Sequence, residues 1–207
     1  YSGTYDRHTY SAMAGHSFDS ALARGLYATA YGFVNDALQN EDMSAGDPEK
    51  NYISNSFSDS RMLSFYGRVN YSIDSRYVFT FTARGDGSSK FAKPYRWGFF
   101  PSGAFAWNIA QEPFMKDVKS VSTLKLRLSA GLTGQQDGIG DYVHLARYNI
   151  SNDPSYMYNM GGGNFVHPVT PQSYDPAIKW ETTTTYNLGV DFGFFDERLS
   201  GSIDAYL

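Results

Sequence analysis

No cysteine occurs among the 207 residues, so a disulfide framework and a thiolate metal centre are both excluded. No apolar run approaches the ~20 residues that a helix needs to cross a bilayer. Charge is sparse: Asp, Glu, Lys and Arg make up 18% of the chain, and 17 basic against 21 acidic side chains leave a formal net charge of −4. A slightly acidic chain has no basic face for nucleic acid, which is therefore not an expected partner. What is abundant is aromatic: 17 Tyr, 15 Phe and 3 Trp exclude a disordered polymer. A transmembrane β-barrel stays open, because its strands show lipid only at every second residue and its mean hydropathy stays modest. The chain begins at Tyr1 without a charged-then-apolar leader and ends at Leu207 in what reads as an unfinished strand. A piece of a longer protein is the expectation.

Period-2 alternation dominates. Over 62–74, Leu63, Phe65, Gly67, Val69, Tyr71 and Ile73 share one face, and Ser64, Tyr66, Arg68, Asn70 and Ser72 the other. Successive strand side chains point to opposite faces, so this is a strand with one apolar and one mostly polar side. Asp74-Ser75-Arg76 turns the chain, and Tyr77, Phe79, Phe81 and Ala83 alternate with Val78, Thr80, Thr82 and Arg84. Two alternating runs joined by so short a turn predict an antiparallel hairpin. Similar runs cover 97–109, 123–133 (Leu124, Leu126, Leu128, Ala130 and Leu132 against Lys125, Arg127, Ser129, Gly131 and Thr133), 184–194 and the stretch from Leu199. A weaker strand over 9–18 follows a turn at 6–8.

Short turns are expected at 6–8, 74–76 and 195–198, and a medium connection at 110–122 with a helical turn at Glu112–Lys116. Long loops are expected at 19–60, with a short helix over Phe33–Leu38, and at 85–96 and 134–180. Loops of that length are uncommon in a compact soluble domain. Short turns at one end and long loops at the other are the asymmetry of an outer-membrane barrel. Alternation alone fits either a soluble sandwich, with the apolar set facing a partner sheet, or a barrel, with that set facing lipid. Strands of about 10–13 residues suit a tilted membrane span. Aromatics at strand ends (Tyr71, Tyr77, Trp97, Phe99, Trp107, Trp180, Tyr186) suit interfacial girdles and favour the barrel.

Little in the chain suggests catalysis. Gly85-Asp86-Gly87-Ser88-Ser89-Lys90 lacks P-loop spacing and a following helix, and reads as an Asp-stapled turn. His8, His16, His144 and His167 show no helical metal-pair spacing. No serine sits in a Gly-x-Ser-x-Gly elbow, and Glu41/Asp42 and Asp196/Glu197 are adjacent acids of solvated turns. No enzyme activity, metal or cofactor is expected.

An ordered series of words is more specific. It includes Ser64-Phe65-Tyr66-Gly67-Arg68-Val69-Asn70-Tyr71, Arg84-Gly85-Asp86-Gly87-Ser88-Ser89-Lys90-Phe91 and Arg96-Trp97-Gly98-Phe99-Phe100-Pro101-Ser102. Glu112-Pro113-Phe114-Met115, Leu124-Lys125-Leu126-Arg127-Leu128-Ser129, Lys179-Trp180-Glu181-Thr182-Thr183 and Asn187-Leu188-Gly189-Val190-Asp191-Phe192-Gly193 follow in order. From about 61 to 207 the series closely resembles the C-terminal half of the barrel in SusC/RagA-type TonB-dependent transporters of the Bacteroidetes. Residues 1–60 match more loosely, as a strand and a variable loop.

The resemblance implies an all-β fold, an antiparallel transmembrane barrel fragment. About eight strands of a large plugged barrel would carry long extracellular loops and short periplasmic turns. Residues 1–207 would be part of one barrel domain, with the plug and N-terminal domains outside this chain. Outer-membrane, TonB-driven import of glycan fragments or peptides, with a SusD-like surface lipoprotein as lid, is what such a family implies. A passive porin and a soluble glycan-binding sandwich are the alternatives. Arg68, Arg84, Lys125, Arg127 and Asp191 are expected to face the lumen or plug. Tyr142, Tyr148, Asn152, Asp153, Tyr156 and Tyr158 are the substrate-binding candidates. Their aromatic faces suit sugar rings and equally a lid interface.

Overall fold

The computed structural model describes residues 1–35, 41–150 and 157–207. In chain order the strands are β1 (Ser2–Tyr5), β2 (His8–Thr29), β3 (Tyr52–Ile73), β4 (Tyr77–Ser88), β5 (Trp97–Asn108) and β6 (Val121–Gln135). Then come the short β7 (Tyr148–Ile150), β8 (Tyr158–Asn159), β9 (Phe165–Val166) and β10 (Val169–Pro171), followed by β11 (Glu181–Phe194) and β12 (Leu199–Tyr206). Eight of them form one sheet in the order β1-β2-β3-β4-β5-β6-β11-β12, and the pairs β1–β2, β3–β4, β4–β5, β5–β6, β6–β11 and β11–β12 are antiparallel. The pairs β7–β10 and β8–β9 are separate two-stranded ladders inside the 136–180 connection.

Backbone contacts divide the chain into two units, Tyr1–Phe18 with Met62–Leu207, and Asp19–Arg61. In the first, the alternation predicts the registers well. Tyr71, Phe79, Phe105, Leu128, Leu188 and Ala205 lie in one row of cross-strand partners from β3 to β12. Val69, Phe81, Gly103, Ala130 and Tyr186 form the next row. One face is thus apolar across six strands. No second sheet covers it among the described residues: Phe81 is 61% exposed and Phe99 67%. A water-soluble sandwich would bury this face. Between Trp97 and Trp107, β5 rises about 33 Å, which a 45° tilt reduces to about 23 Å, close to the height of the apolar band of an outer-membrane barrel.

Left-handed backbone builds the tight turns. Asp74 and Ser75, at φ 52° and 56°, give the β3–β4 hairpin the turn that matches right-handed strand twist. Phe195, Asp196 and Glu197 do the same between β11 and β12. The expected helical turn after Glu112 is a 3₁₀ turn, Pro113–Met115, preceded by another at Ile109–Gln111.

The second unit corrects the sequence reading. The long loop expected over 19–60 shrinks, because β2 continues to Thr29 and β3 starts at Tyr52. The Arg24 guanidinium lies over the Phe57 ring at 5.9 Å across this hairpin. A 3₁₀ turn, Met43–Ala45, is capped by the Asp42 carboxylate, which accepts from the Ser44 backbone N–H at 2.9 Å. The helix expected over Phe33–Leu38 is not present at Phe33–Asn35, and Asp36–Leu38 lie outside the described residues.

The buried apolar cluster sits on the polar face of the sheet. Phe91, Phe100 and Trp180 are its centre, with Met62, Ile139 and Ile178 packed around them. Phe91 and Phe100 contact the Trp180 ring at centroid distances of 4.9 and 5.4 Å. Trp180, expected in a lipid-facing girdle, is instead buried and donates its indole N–H to the Arg96 carbonyl at 3.0 Å. Glycine at 134 is required by the same cluster, since a Cβ there would overlap the Phe100 ring.

Candidate functional site

The polar face carries the expected charges, and β-sheet register explains where each stands. Arg127 on β6 faces β11 and β12, where Asp191 and Asp204 lie on the same face. Its Nε and Nη2 donate to Asp191 at 2.9 and 2.8 Å, and Nη2 reaches Asp204 at 3.0 Å. Such a forked guanidinium–carboxylate contact fixes orientation as well as charge. Lys125 is the register partner of Asp191. Arg84 donates to Asp86 at 2.8 Å and to the fully buried Ser64 hydroxyl at 3.0 Å, and lies over the Tyr66 ring at 5.7 Å. Arg68 donates to Thr82 at 3.1 Å. Beside Arg127, a recess of about 170 Å³ opens between Thr80, Ala104, Ala106, Ser129 and Asn187. All five expected residues therefore share one polar wall, in two clusters and one flanking pair. Asp204, Tyr66, Asp86 and Ser64 join them. Their strand parity, traced to the ends of the alternating runs, is the signal that finds them.

The loop candidates are less gathered. Tyr142 is left-handed at φ 65° and lies under the Arg147 guanidinium at 5.5 Å. Tyr148 belongs to the β7–β10 ladder and Tyr158 to β8–β9, and each is 66% exposed. Asn152, Asp153 and Tyr156 lie outside the described residues. The β8–β9 hairpin turns through Gly161, Gly162 and Gly163, all at positive φ with open space around them.

The roots of these loops are tied together. Lys90 donates its ammonium to the Ile139 carbonyl at 2.9 Å, and His144 Nδ1 donates to the Lys90 carbonyl at 3.0 Å. Phe91 is wholly buried between them and the sheet. The expected Asp86 staple is absent: Gly85–Ser88 continue β4, and the Ser88 hydroxyl accepts from the Lys90 N–H at 3.3 Å instead. Asp86 cannot staple the turn because its side chain points to the polar face, where Arg84 holds it.

At the short-turn end a second network was not foreseen. The buried Glu112 carboxylate accepts from the Tyr77 hydroxyl, from the Trp107 indole at 3.0 Å and from Arg76 at 3.0 Å. Arg76 also bridges to Asp74, which pairs with Arg7 at 2.7 Å. Hydrogen bonds from Tyr77 and Trp107, then Arg76, hold the Glu112 carboxyl below the usual carboxylate range. A lowered carboxyl stabilises the fold above its unfolded value and loses that contribution as pH falls through the folded value. Glu112→Gln is therefore expected to lower the melting temperature of the full-length protein at pH 7. That deficit should shrink steadily below about pH 4, near and beneath the ordinary Glu value. Melting curves from pH 3 to 7 check this.

Comparison with known proteins accounts for these features together. The chain is 47% identical over 145 residues to the TonB-dependent receptor SusC of Bacteroides thetaiotaomicron, covering 70% of this chain and 14% of that protein. It is 37% identical over its whole length to the TonB-dependent receptor P3 of Formosa agariphila, covering 20% of that receptor. In structure it superposes on the RagAB peptide transporter with a TM-score of 0.82 and 27% identity, covering all of this chain and 22% of that one. The chain thus spans about a seventh to a fifth of the length of these relatives. The family model for the TonB dependent receptor-like β-barrel matches residues 1–207 throughout, and the chain belongs to that family.

Proposed function

We propose that the full-length protein is an outer-membrane, TonB-dependent importer of nutrient oligomers, glycan fragments or peptides. On this reading, residues 1–207 are a sector of its barrel wall, with the plug and N-terminal domains elsewhere in the polypeptide. The observation that carries the reading is the two-faced sheet: an uncovered apolar face across six strands, backed by a charged and hydrogen-bonded polar face. The apolar face would meet lipid and the polar face a wet lumen. The role is transport and not catalysis. The similarity to SusC and to the RagAB peptide importer supports a surface lipoprotein of the SusD type as lid, with TonB supplying energy.

Within this reading, Arg68, Arg84, Lys125, Arg127 and Asp191 line the lumen and meet the plug. Tyr142, Tyr148 and Tyr158 lie on the surface side, where cargo or lid would stack, and Asn152, Asp153 and Tyr156, outside the described residues, are proposed to contact the same cargo or lid. The long-loop end is extracellular and the short-turn end periplasmic. Uptake of labelled oligosaccharide and oligopeptide mixtures tests it, comparing the native strain, a strain lacking the gene and one lacking TonB. Accumulation that needs both gene and TonB is the expected result. Uptake that needs the gene but not TonB would replace the importer with a passive porin. A native protein found in the soluble fraction would end the membrane reading.

A further inference from the structure

The segment at 109–120 does more than connect β5 to β6. Its anchor, Glu112, takes the polar ends of Tyr77 and Trp107. These two rings stack at 6.5 Å and stand in the apolar rows of the sheet, at its short-turn edge. Interfacial Tyr and Trp ordinarily offer O–H and N–H to the headgroup region. Here a protein carboxylate uses both, and it holds the backbone of 109–116 at the level of the girdle. That backbone exposes apolar side chains: Phe114 is 65% exposed and Val118 39%. Exposed Lys116 and Lys119 flank them, with Asp117 between. The β11–β12 turn is fastened alongside, as the Phe195 N–H donates to the Ser120 carbonyl at 3.0 Å while the Phe195 ring is 60% exposed.

Building on the importer reading, we propose that 109–120 is an interfacial foot. Phe114, Val118 and Phe195 enter the headgroup–acyl boundary of the periplasmic leaflet, and Lys116 and Lys119 reach its phosphates. The occupant is phospholipid because the patch continues the uncovered apolar wall at the height where a bilayer ends. Apolar rings beside lysines on a short amphipathic segment suit that boundary.

Spin-label accessibility in the full-length protein, reconstituted in phosphatidylethanolamine–phosphatidylglycerol vesicles, tests the proposal. Phe114→Cys, Val118→Cys, Phe81→Cys and Tyr158→Cys would each carry a nitroxide. The Phe81 label reports the lipid-facing wall and the Tyr158 label a surface loop. The foot predicts that the Phe114 and Val118 labels collide readily with oxygen and poorly with a water-soluble nickel chelate. Accessibility to nickel as high as at Tyr158 would place the segment in water and overturn the foot. Exclusion of both probes would mean a protein partner and would also overturn it. A Phe81 label open to nickel would instead overturn the membrane reading itself, so the two failures are distinguishable. Two independent foot positions guard against one variant failing to fold.

Discussion

Ala130→Arg is expected to destabilise the full-length barrel by about 2–4 kcal/mol, whereas Ser129→Arg, one residue back, is expected to be nearly neutral. The two positions differ only in face. Ala130 stands in the apolar row between Gly103 and Tyr186, close to the middle of the span from Trp107 to Trp97. A guanidinium there would have to enter hydrocarbon or snorkel a long way. Ser129 stands between Ala104 and Asn187 on the polar face, where water is available. Equilibrium refolding into phospholipid vesicles, followed by heat-shifted gel mobility, measures both variants. Equal losses would mean that the faces are wrongly assigned. A smaller loss at Ala130 than at Ser129 would mean that they are reversed.

Trp180→Ala is the other large effect, an expected loss of about 3–5 kcal/mol from the loop-root cluster. The indole fills the space between Phe91 and Phe100, and its N–H holds the Arg96 carbonyl. Removing it leaves a cavity on the polar face and frees one acceptor. Because the cluster joins the 89–96 and 136–180 connections to the wall, the loss should be local. Amide exchange should accelerate around Lys90, Phe91 and Ile139 while the middle of β4 and β6 keeps its protection. Gly134→Leu should produce the same pattern by the opposite route, forcing the Phe100 ring aside and not emptying its site.

The sheet was legible because a buried or lipid-facing strand writes its register as alternation. Leu124, Leu126, Leu128, Ala130 and Leu132 leave no choice of face. The same rule explains the errors. The distal parts of β2 and β3 lack contrast: Ser54, Ser56, Ser58 and Ser60 alternate with Asn55, Phe57 and Asp59, and none of these positions is buried. Backbone pairing holds that hairpin, and backbone pairing has no sequence period. Trp180 was misplaced because a tryptophan beside a strand end has the same spacing whether it meets lipid or a folded-back loop. Phe100 was the available clue, an aromatic at polar-face parity that needed a partner. Glu112 was visible only as a motif, since its three donors come from residues up to 36 positions away. Charges of the polar wall were identifiable by parity, but Asp204 as a second partner of Arg127 required the β12 register.

The triple-glycine tip between β8 and β9 has a practical consequence. Left-handed backbone there is already accepted by residues without side chains, and among the described residues no atom lies where a side chain would begin. Extra residues inserted between Gly161 and Gly163 would interrupt the turn hydrogen bond from the Asn164 N–H to the Gly161 carbonyl and leave the β8–β9 ladder paired, and lengthening such a bend costs little chain entropy. In the proposed orientation an epitope placed there would be displayed on intact cells, readable by antibody without breaking the envelope.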